Sequence, residues 1–283
     1  MSFKFLSKTY GSKARLGAIT TPHGIINTPA FIFCATKATI KSVDINKVKE
    51  SGTQVILSNT YHLMLQPGAD VVNKLGGLHK MIGWDGPMLT DSGGFQIFSL
   101  GHGSIAEEIK GNRTSSRPKT LIRIDESGAK FRSYIDGKVH HLTPELSIDI
   151  QSQLGADLIV VLDECTPFNV DKDYTLESMK MSHRWAIRCL KRFNETNNES
   201  QALYGIIQGG IYQDLRSESC QFVNDNNFFG HAIGGSLGAK KNQMYDIVAF
   251  TAEKLVENRP IHLLGIGCIS DIFSGVEAGI DTF

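Results

Sequence analysis

The chain has 283 residues, 41% apolar and 20% charged, enough for one large α/β domain with a buried core. Lys plus Arg and Asp plus Glu number 29 each, which excludes a global field drawing the protein to nucleic acid or an anionic membrane; a nucleic-acid contact would need a local patch, the best being Lys110, Arg113, Arg117, Lys119 and Arg123. Five dispersed cysteines (Cys34, Cys165, Cys189, Cys220, Cys268) form no C-x-C or C-x-x-C pair, and no apolar run reaches signal-peptide or membrane-span length, so a cytoplasmic protein with no zinc knuckle and no membrane partner is expected.

In chain order, the first elements read as an antiparallel hairpin: Arg15–Thr20, a turn at Thr21-Pro22-His23-Gly24, then Ile25–Ile26 and on to Phe31–Phe33. Short β-like runs then alternate with helical stretches. The runs are Ala30–Phe33, Thr53–Ser58, Met88–Asp91, Asp157–Leu162, Leu203–Ile207, His231–Gly234 and Ile261–Gly265. Several are continuously apolar, as parallel strands covered on both faces are. A second hairpin, Leu121–Asp125 and Lys130–Ile135, interrupts the alternation. Thr143-Pro144-Glu145 predicts an N-cap with Pro at the first helical position. Within 174–193, Leu176, Met179, Ala186, Cys189, Leu190 and Phe193 recur at helical spacing. A last helix is expected over Ile269–Gly279. Repeated strand–helix units over this length predict a (β/α)8 barrel or an open doubly wound sheet. The domain reading is a single barrel over 1–283, with an N-terminal β hairpin over about 1–33 and a β-hairpin insertion over about 100–140.

The informative residues close the strands. Ser58-Asn59-Thr60-Tyr61-His62 ends one, Asp91-Ser92-Gly93-Gly94-Phe95-Gln96 the next, and Asp163-Glu164-Cys165-Thr166-Pro167-Phe168 a third. Gln208-Gly209-Gly210 and Gly234-Gly235-Ser236 end two more. Any one of these has a plain alternative: a strand-terminal Asp can cap the following helix, and a Gly pair can simply turn the chain. Together they point to one pocket at one end of the strands, with glycines that let a ligand approach the backbone. Two carboxylates, an amide and exposed backbone N–H groups suit a planar heterocycle with donors on one edge and an acceptor beside them. Guanine has that pattern; a pterin, a sugar and a small acid remain open on this chemistry.

The segments NTYHL, LTDSGGFQIFSL, DECTPF, IIQGG, AIGGSLG and HLLGIG, in this order and spacing, resemble the bacterial tRNA-guanine transglycosylases (queuine tRNA-ribosyltransferases) over essentially the whole chain. The resemblance implies a modified (β/α)8 TIM-type barrel. It also implies a glycosyltransferase (pentosyltransferase) of queuosine tRNA modification. Such an enzyme exchanges guanine for queuine or its 7-deazaguanine precursor at the anticodon wobble position, through a covalent enzyme–ribose intermediate. The implied partners are the tRNA anticodon stem-loop, the guanine or 7-deazaguanine base and a second copy of the chain in a homodimer. By the same resemblance Asp91 is the acid/base carboxylate, Asp163 holds the N1 and exocyclic-amine edge, and Gln208 and the Gly235 backbone address O6. Phe95 and Leu264 sandwich the ring, and Ser92, Asn59 and Cys165 line the neighbourhood.

In the family, the segment matching Ala278-Gly279-Ile280-Asp281-Thr282-Phe283 runs on to another Asp, the nucleophile, and then to a Cys-rich zinc subdomain. Here the sequence closes at Phe283. The expectation is a C-terminally truncated member, its barrel incomplete without strand eight and the zinc subdomain. Its first and seventh barrel strands would be unpaired edges. No metal site, no cofactor in this chain and no exchange activity by the chain alone are expected. Asp281 lies an odd number of positions before the nucleophile and should face the other way. Two other readings are a non-catalytic partner subunit of a transglycosylase and an unrelated barrel glycosidase using Asp91 and Asp163. The Gly-Gly pairs and Gln208 fit a heterocycle better than a sugar.

Overall fold

The computed structural model describes residues 4–9, 13–101, 120–167, 170–196 and 199–283. Its centre is a sheet of seven parallel strands that follows the predicted alternation: β4 (Phe33–Cys34), β5 (Ile56–Ser58), β6 (Met88–Thr90), β10 (Leu158–Val160), β11 (Ala202–Ile207), β12 (Gly230–Ile233) and β13 (Ile261–Leu263), neighbours in that order. β6, β10, β11, β12 and β13 are buried along their whole length, which is why they read as unbroken apolar runs. Helices cover the outer face. The longest, Lys172–Thr196, buries Thr175, Ser178, Met179, Ser182, Trp185, Ala186 and Cys189, a stripe at three- and four-residue spacing that packs it on the sheet. Thr143 caps the helix Pro144–Leu154, its hydroxyl accepting the Leu146 N–H at 3.2 Å, as its sequence signature predicts. The last helix is Ile269–Glu277.

Two antiparallel sheets flank this half-barrel, each one strand larger than the hairpin read from sequence. At the N-terminus β1 (Lys4–Thr9) joins β2 (Arg15–Thr21) and β3 (Gly24–Thr28). β1 escapes a pattern search because Leu6 is exposed while Phe5 is half-buried, which blurs the alternation. The insertion holds β7 (Leu121–Asp125), β8 (Gly128–Arg132) and β9 (Val139–Leu142). Of the basic stretch only Arg123 is described, and it pairs with Asp125 at 2.5 Å; Lys110, Arg113, Arg117 and Lys119 lie outside the described residues, as does Phe168.

The incomplete TIM-type barrel is present, but the expectation of two unpaired edges is corrected. Residues 281–283 lie between β13 and the first barrel strand. Thr282 bridges in parallel to both Ala30 and His262. The Ala30 N–H donates to the Asp281 carbonyl at 2.9 Å, the Phe283 N–H to the Ala30 carbonyl at 3.1 Å, and the Leu263 N–H to the Thr282 carbonyl at 2.9 Å. Three residues suffice because the adjoining stretches offer only a few unpaired backbone groups each, and buried ones must be matched. Asp281 itself points away from the cavity and is buried against Arg15, as the alternation of strand side chains requires.

Candidate active site

A cavity of about 410 Å³ opens at the C-terminal ends of the parallel strands, within the range of small-ligand sites. Asn59, Asp91, Ser92, Phe95, Asp163, Cys165, Gly235 and Leu264 all line it. Gln208, the remaining predicted residue, is buried just behind the wall and donates its amide to an Asp163 oxygen. Neighbouring strands explain the convergence: β6 delivers Asp91, β10 delivers Asp163, β11 delivers Gln208 and β12 delivers Gly235, each just past its last paired residue.

Asp91 is held on both oxygens. Its Oδ1 accepts the Thr60 N–H at 2.8 Å, and its Oδ2 accepts the Asn59 amide at 2.6 Å and the Gln96 amide at 2.8 Å. The carboxylate does receive a helix N-terminal N–H, but from the helix Thr60–Leu65 of the preceding unit, not the one that follows it. Burial pushes its pKa above the ordinary carboxylate value against the pull of these donors. A carboxyl group fixed in orientation and raised in pKa can hand a proton to a leaving group or take one from a nucleophile.

Asp163 has Gln208 as its one side-chain donor among the described residues. Burial raises its pKa to about 7, helped by the neighbouring Glu164 and Asp91 charges. It therefore stands half-ionised near neutral pH, facing the cavity with unused acceptor capacity. Glu164 faces elsewhere, accepting the Tyr174 hydroxyl at 2.5 Å. The Cys165 thiol is pushed up to about 12 by burial and by the Asp163 and Glu164 charges, so it lines the wall as a neutral thiol and not as a nucleophile.

Gly94 does a different job from the one the sequence suggests. A Cβ on Gly94 would come within 2.7 Å of the Asp163 carbonyl oxygen. That glycine lets two chain segments meet and brings Asp91 and Asp163 to one cavity; it does not clear room for a ligand. Gly235 has φ +72°, and a Cβ there would fall on the Gln208 amide oxygen.

Three participants have roles that the sequence does not assign. Gln96, one of the strand-closing residues, orients Asp91. His262 lines the cavity, bonded through Nδ1 to the Thr282 hydroxyl at 3.0 Å, with burial pulling its pKa to about 4, so it is neutral at pH 7. A lone polar residue in the apolar run Ile261-His262-Leu263 was the available signal. Arg216, on the helix Gln213–Asp225, bonds the loops behind Gln208 and Gly235; an arginine on an amphipathic helix reads as solvent-facing.

Among the described residues one group of three potential metal ligands occurs, His23, His79 and Asp157, at the opposite end of the strands. It contains no cysteine and does not suit a cation as arranged. His79 Nε2 lies 3.0 Å from the Gly86 carbonyl, which can only accept, so that nitrogen carries its proton. Both Asp157 oxygens are already taken, by His23 at 2.7 Å and by the Met88 N–H at 2.8 Å. No helix among the described residues is long and apolar enough to cross a membrane.

Residues 10–283 match the family model described as Queuine tRNA-ribosyltransferase. The chain belongs to the queuine tRNA-ribosyltransferase family. It is 44% identical over 293 residues to the queuine tRNA-ribosyltransferase of Roseiflexus sp. (strain RS-1), covering 100% of this chain and 73% of that protein. It is 46% identical over 284 residues to that of Thermoanaerobacter pseudethanolicus, covering 100% and 70%. With that of Chlamydia felis it shares 44% identity over 283 residues, covering 100% and 75%. The chain is thus shorter than each of these relatives. The queuine tRNA-ribosyltransferase match spans every strand that feeds the cavity.

Proposed function

We propose that the chain carries the base-recognition and acid/base part of a tRNA-guanine transglycosylase, the enzyme type that exchanges guanine for a 7-deazaguanine base at the tRNA wobble position. One observation carries this reading: two carboxyl groups on adjacent strand ends face one cavity in opposite environments. Asp91 is fixed by three donors, while Asp163 is almost free of them. The N1–H and exocyclic amine of guanine would donate to Asp163, and the second amide hydrogen of Gln208 and the Gly235 N–H would reach O6. Phe95, half exposed at the rim, and Leu264 would cover the ring faces.

Asp91 then stands beside the N-glycosidic bond as the acid/base group. Breaking that bond builds positive character on the ribose, which a nearby carboxylate stabilises. The base must leave its stack in the anticodon loop first, at a cost of a few kcal/mol that the edge hydrogen bonds and ring contacts offset. Five free cysteines suit a reducing compartment, in keeping with a cytoplasmic enzyme; a homodimer is the assembly the resemblance favours.

Titration of the 283-residue chain with guanine tests the reading at the step these residues govern. One guanine should bind per chain, Asp163→Ala should remove binding, and adenine should not compete. Absence of guanine binding by the wild-type chain, or unchanged binding by the Asp163 variant, would overturn it.

A further inference from the structure

Arg216 is fully buried and, among the described residues, makes no ion pair. Instead its guanidinium donates to four backbone carbonyls. Nε reaches Gly210 at 2.8 Å, Nη1 reaches Ile207 at 3.1 Å and Gly234 at 2.9 Å, and Nη2 reaches Ser236 at 3.1 Å. Two of these carbonyls flank Gln208 and two flank Gly235. One side chain therefore ties together the two loops that carry the residues facing O6 in the reading above. Burying a cation without a carboxylate is costly unless its donors are matched, and here they are spent on these two loops. Burial lowers its pKa only to about 10, so it stays charged at neutral pH.

The Gly234 contact has an electronic consequence. The Gly234 carbonyl and the Gly235 N–H belong to one peptide group. A charge-assisted hydrogen bond to the carbonyl draws electron density toward oxygen and leaves the N–H a stronger donor. Among the described residues the Gly235 N–H has no acceptor, and Gly235 lines the cavity.

We propose that Arg216 is a positioning residue that sets the affinity of the site for the carbonyl edge of guanine, by fixing and polarising the Gly234–Gly235 peptide. This rests on the guanine-exchange reading. The side chain touches no substrate; it acts through the peptide it holds.

The test compares guanine with 6-thioguanine, which keeps the N1–H and amine edge for Asp163 but offers sulfur, a weaker acceptor, in place of O6. The wild-type chain should prefer guanine by about tenfold, the worth of one hydrogen bond. Arg216→Lys and Arg216→Gln should weaken guanine by about tenfold while 6-thioguanine weakens less than about threefold. Equal losses for both bases would reduce Arg216 to a structural role, and no loss for either would remove it from the site; both outcomes overturn the inference. A measurement on the wild-type chain needs no variant to fold: the Gly235 amide proton should move downfield on adding guanine and less on adding 6-thioguanine. A stationary Gly235 signal in the guanine-saturated protein overturns the inference while leaving guanine binding intact. A wild-type chain that binds neither base overturns the guanine reading itself.

Discussion

Gln208 donates its side-chain amide to the Asp163 carboxyl across the ends of two neighbouring strands, β11 and β10. It is the only side-chain donor Asp163 has among the described residues, whereas Asp91, one strand away, accepts from the side chains of Asn59 and Gln96 as well as from the Thr60 N–H. Two acids in one cavity are thereby given separate tasks: one is locked and oriented, the other waits for a ligand to supply its hydrogen bonds.

The first prediction concerns ligand affinity. Guanine presents donors to Asp163, so the ionised form binds it. With a pKa of about 7, raised chiefly by burial, the ionised fraction falls about tenfold between pH 8 and pH 6. Guanine affinity of the wild-type chain should fall by about the same factor over that interval. Asp163→Asn should bind weakly, with no such slope. Calorimetric titrations at pH 6, 7 and 8 check this, and a flat wild-type profile would refute it.

The same acid should lower stability. The folded pKa lies above the ordinary value of 3.8, so the folded state binds the proton more tightly than the unfolded chain does. The stabilising effect of the protonated carboxyl is present below pH 3.8 and is lost as pH rises through about 7. Asp163→Asn should therefore be more stable than wild type at pH 8, by up to about 4 kcal/mol. That gap should narrow toward pH 5. Urea unfolding at both values measures it; a variant less stable than wild type at pH 8 would contradict the assignment.

Much of this site can be read from sequence because parallel strands convert order along the chain into neighbourhood in space. Asp91, Asp163, Gln208 and Gly235 each follow an apolar run, and successive runs pair, so their ends must meet. The same reasoning misses groups that approach from behind. Arg216 sits among Leu215, Ser219, Cys220 and Val223 on the buried face of its helix, whereas an arginine on an amphipathic helix is read as facing solvent. The strand-like start at the end of the chain is legible, but its pairing with both neighbours is not, because three residues do not say which backbone groups they reach; their hydrogen bonds to Ala30 and Leu263 do. The role of Gly94 is also hidden, since a missing side chain does not say what fills its place.

That close approach yields a third prediction. A methyl group at position 94 would sit 2.7 Å from the Asp163 carbonyl and 3.2 Å from Leu162, and backbone cannot rotate away as a flexible side chain can. Gly94→Ala should cost about 1–3 kcal/mol of stability. It should also displace Asp163 from Asp91, weakening guanine by at least about tenfold. Paired unfolding and binding measurements decide it. A variant of wild-type stability that binds guanine normally would show that the two segments have slack the structure does not suggest.

The last prediction separates closure of the barrel from the chemistry of its mouth. Asp281 is fully buried and accepts Arg15 Nε at 2.9 Å, Arg15 Nη2 at 2.5 Å and the Ile261 N–H at 2.6 Å. Arg15 in turn donates to the carbonyls of Glu257 and Arg259. This paired fork ties the N-terminal sheet to β13 and to the three residues that close the ring. Burial pushes the Asp281 pKa up against the pull of Arg15. Removing one member of a buried pair strands the other charge, so Asp281→Ala should cost about 3–5 kcal/mol. Arg15→Met together with Asp281→Leu should recover part of that loss, because the double change leaves no unpaired charge. Asp281 faces away from the cavity, so the guanine affinity of the folded fraction should stay within about twofold of wild type in both variants. Urea unfolding and guanine titration below the unfolding midpoint read the two effects independently. Lost guanine affinity at undiminished stability would mean that Asp281 serves the site and not the closure.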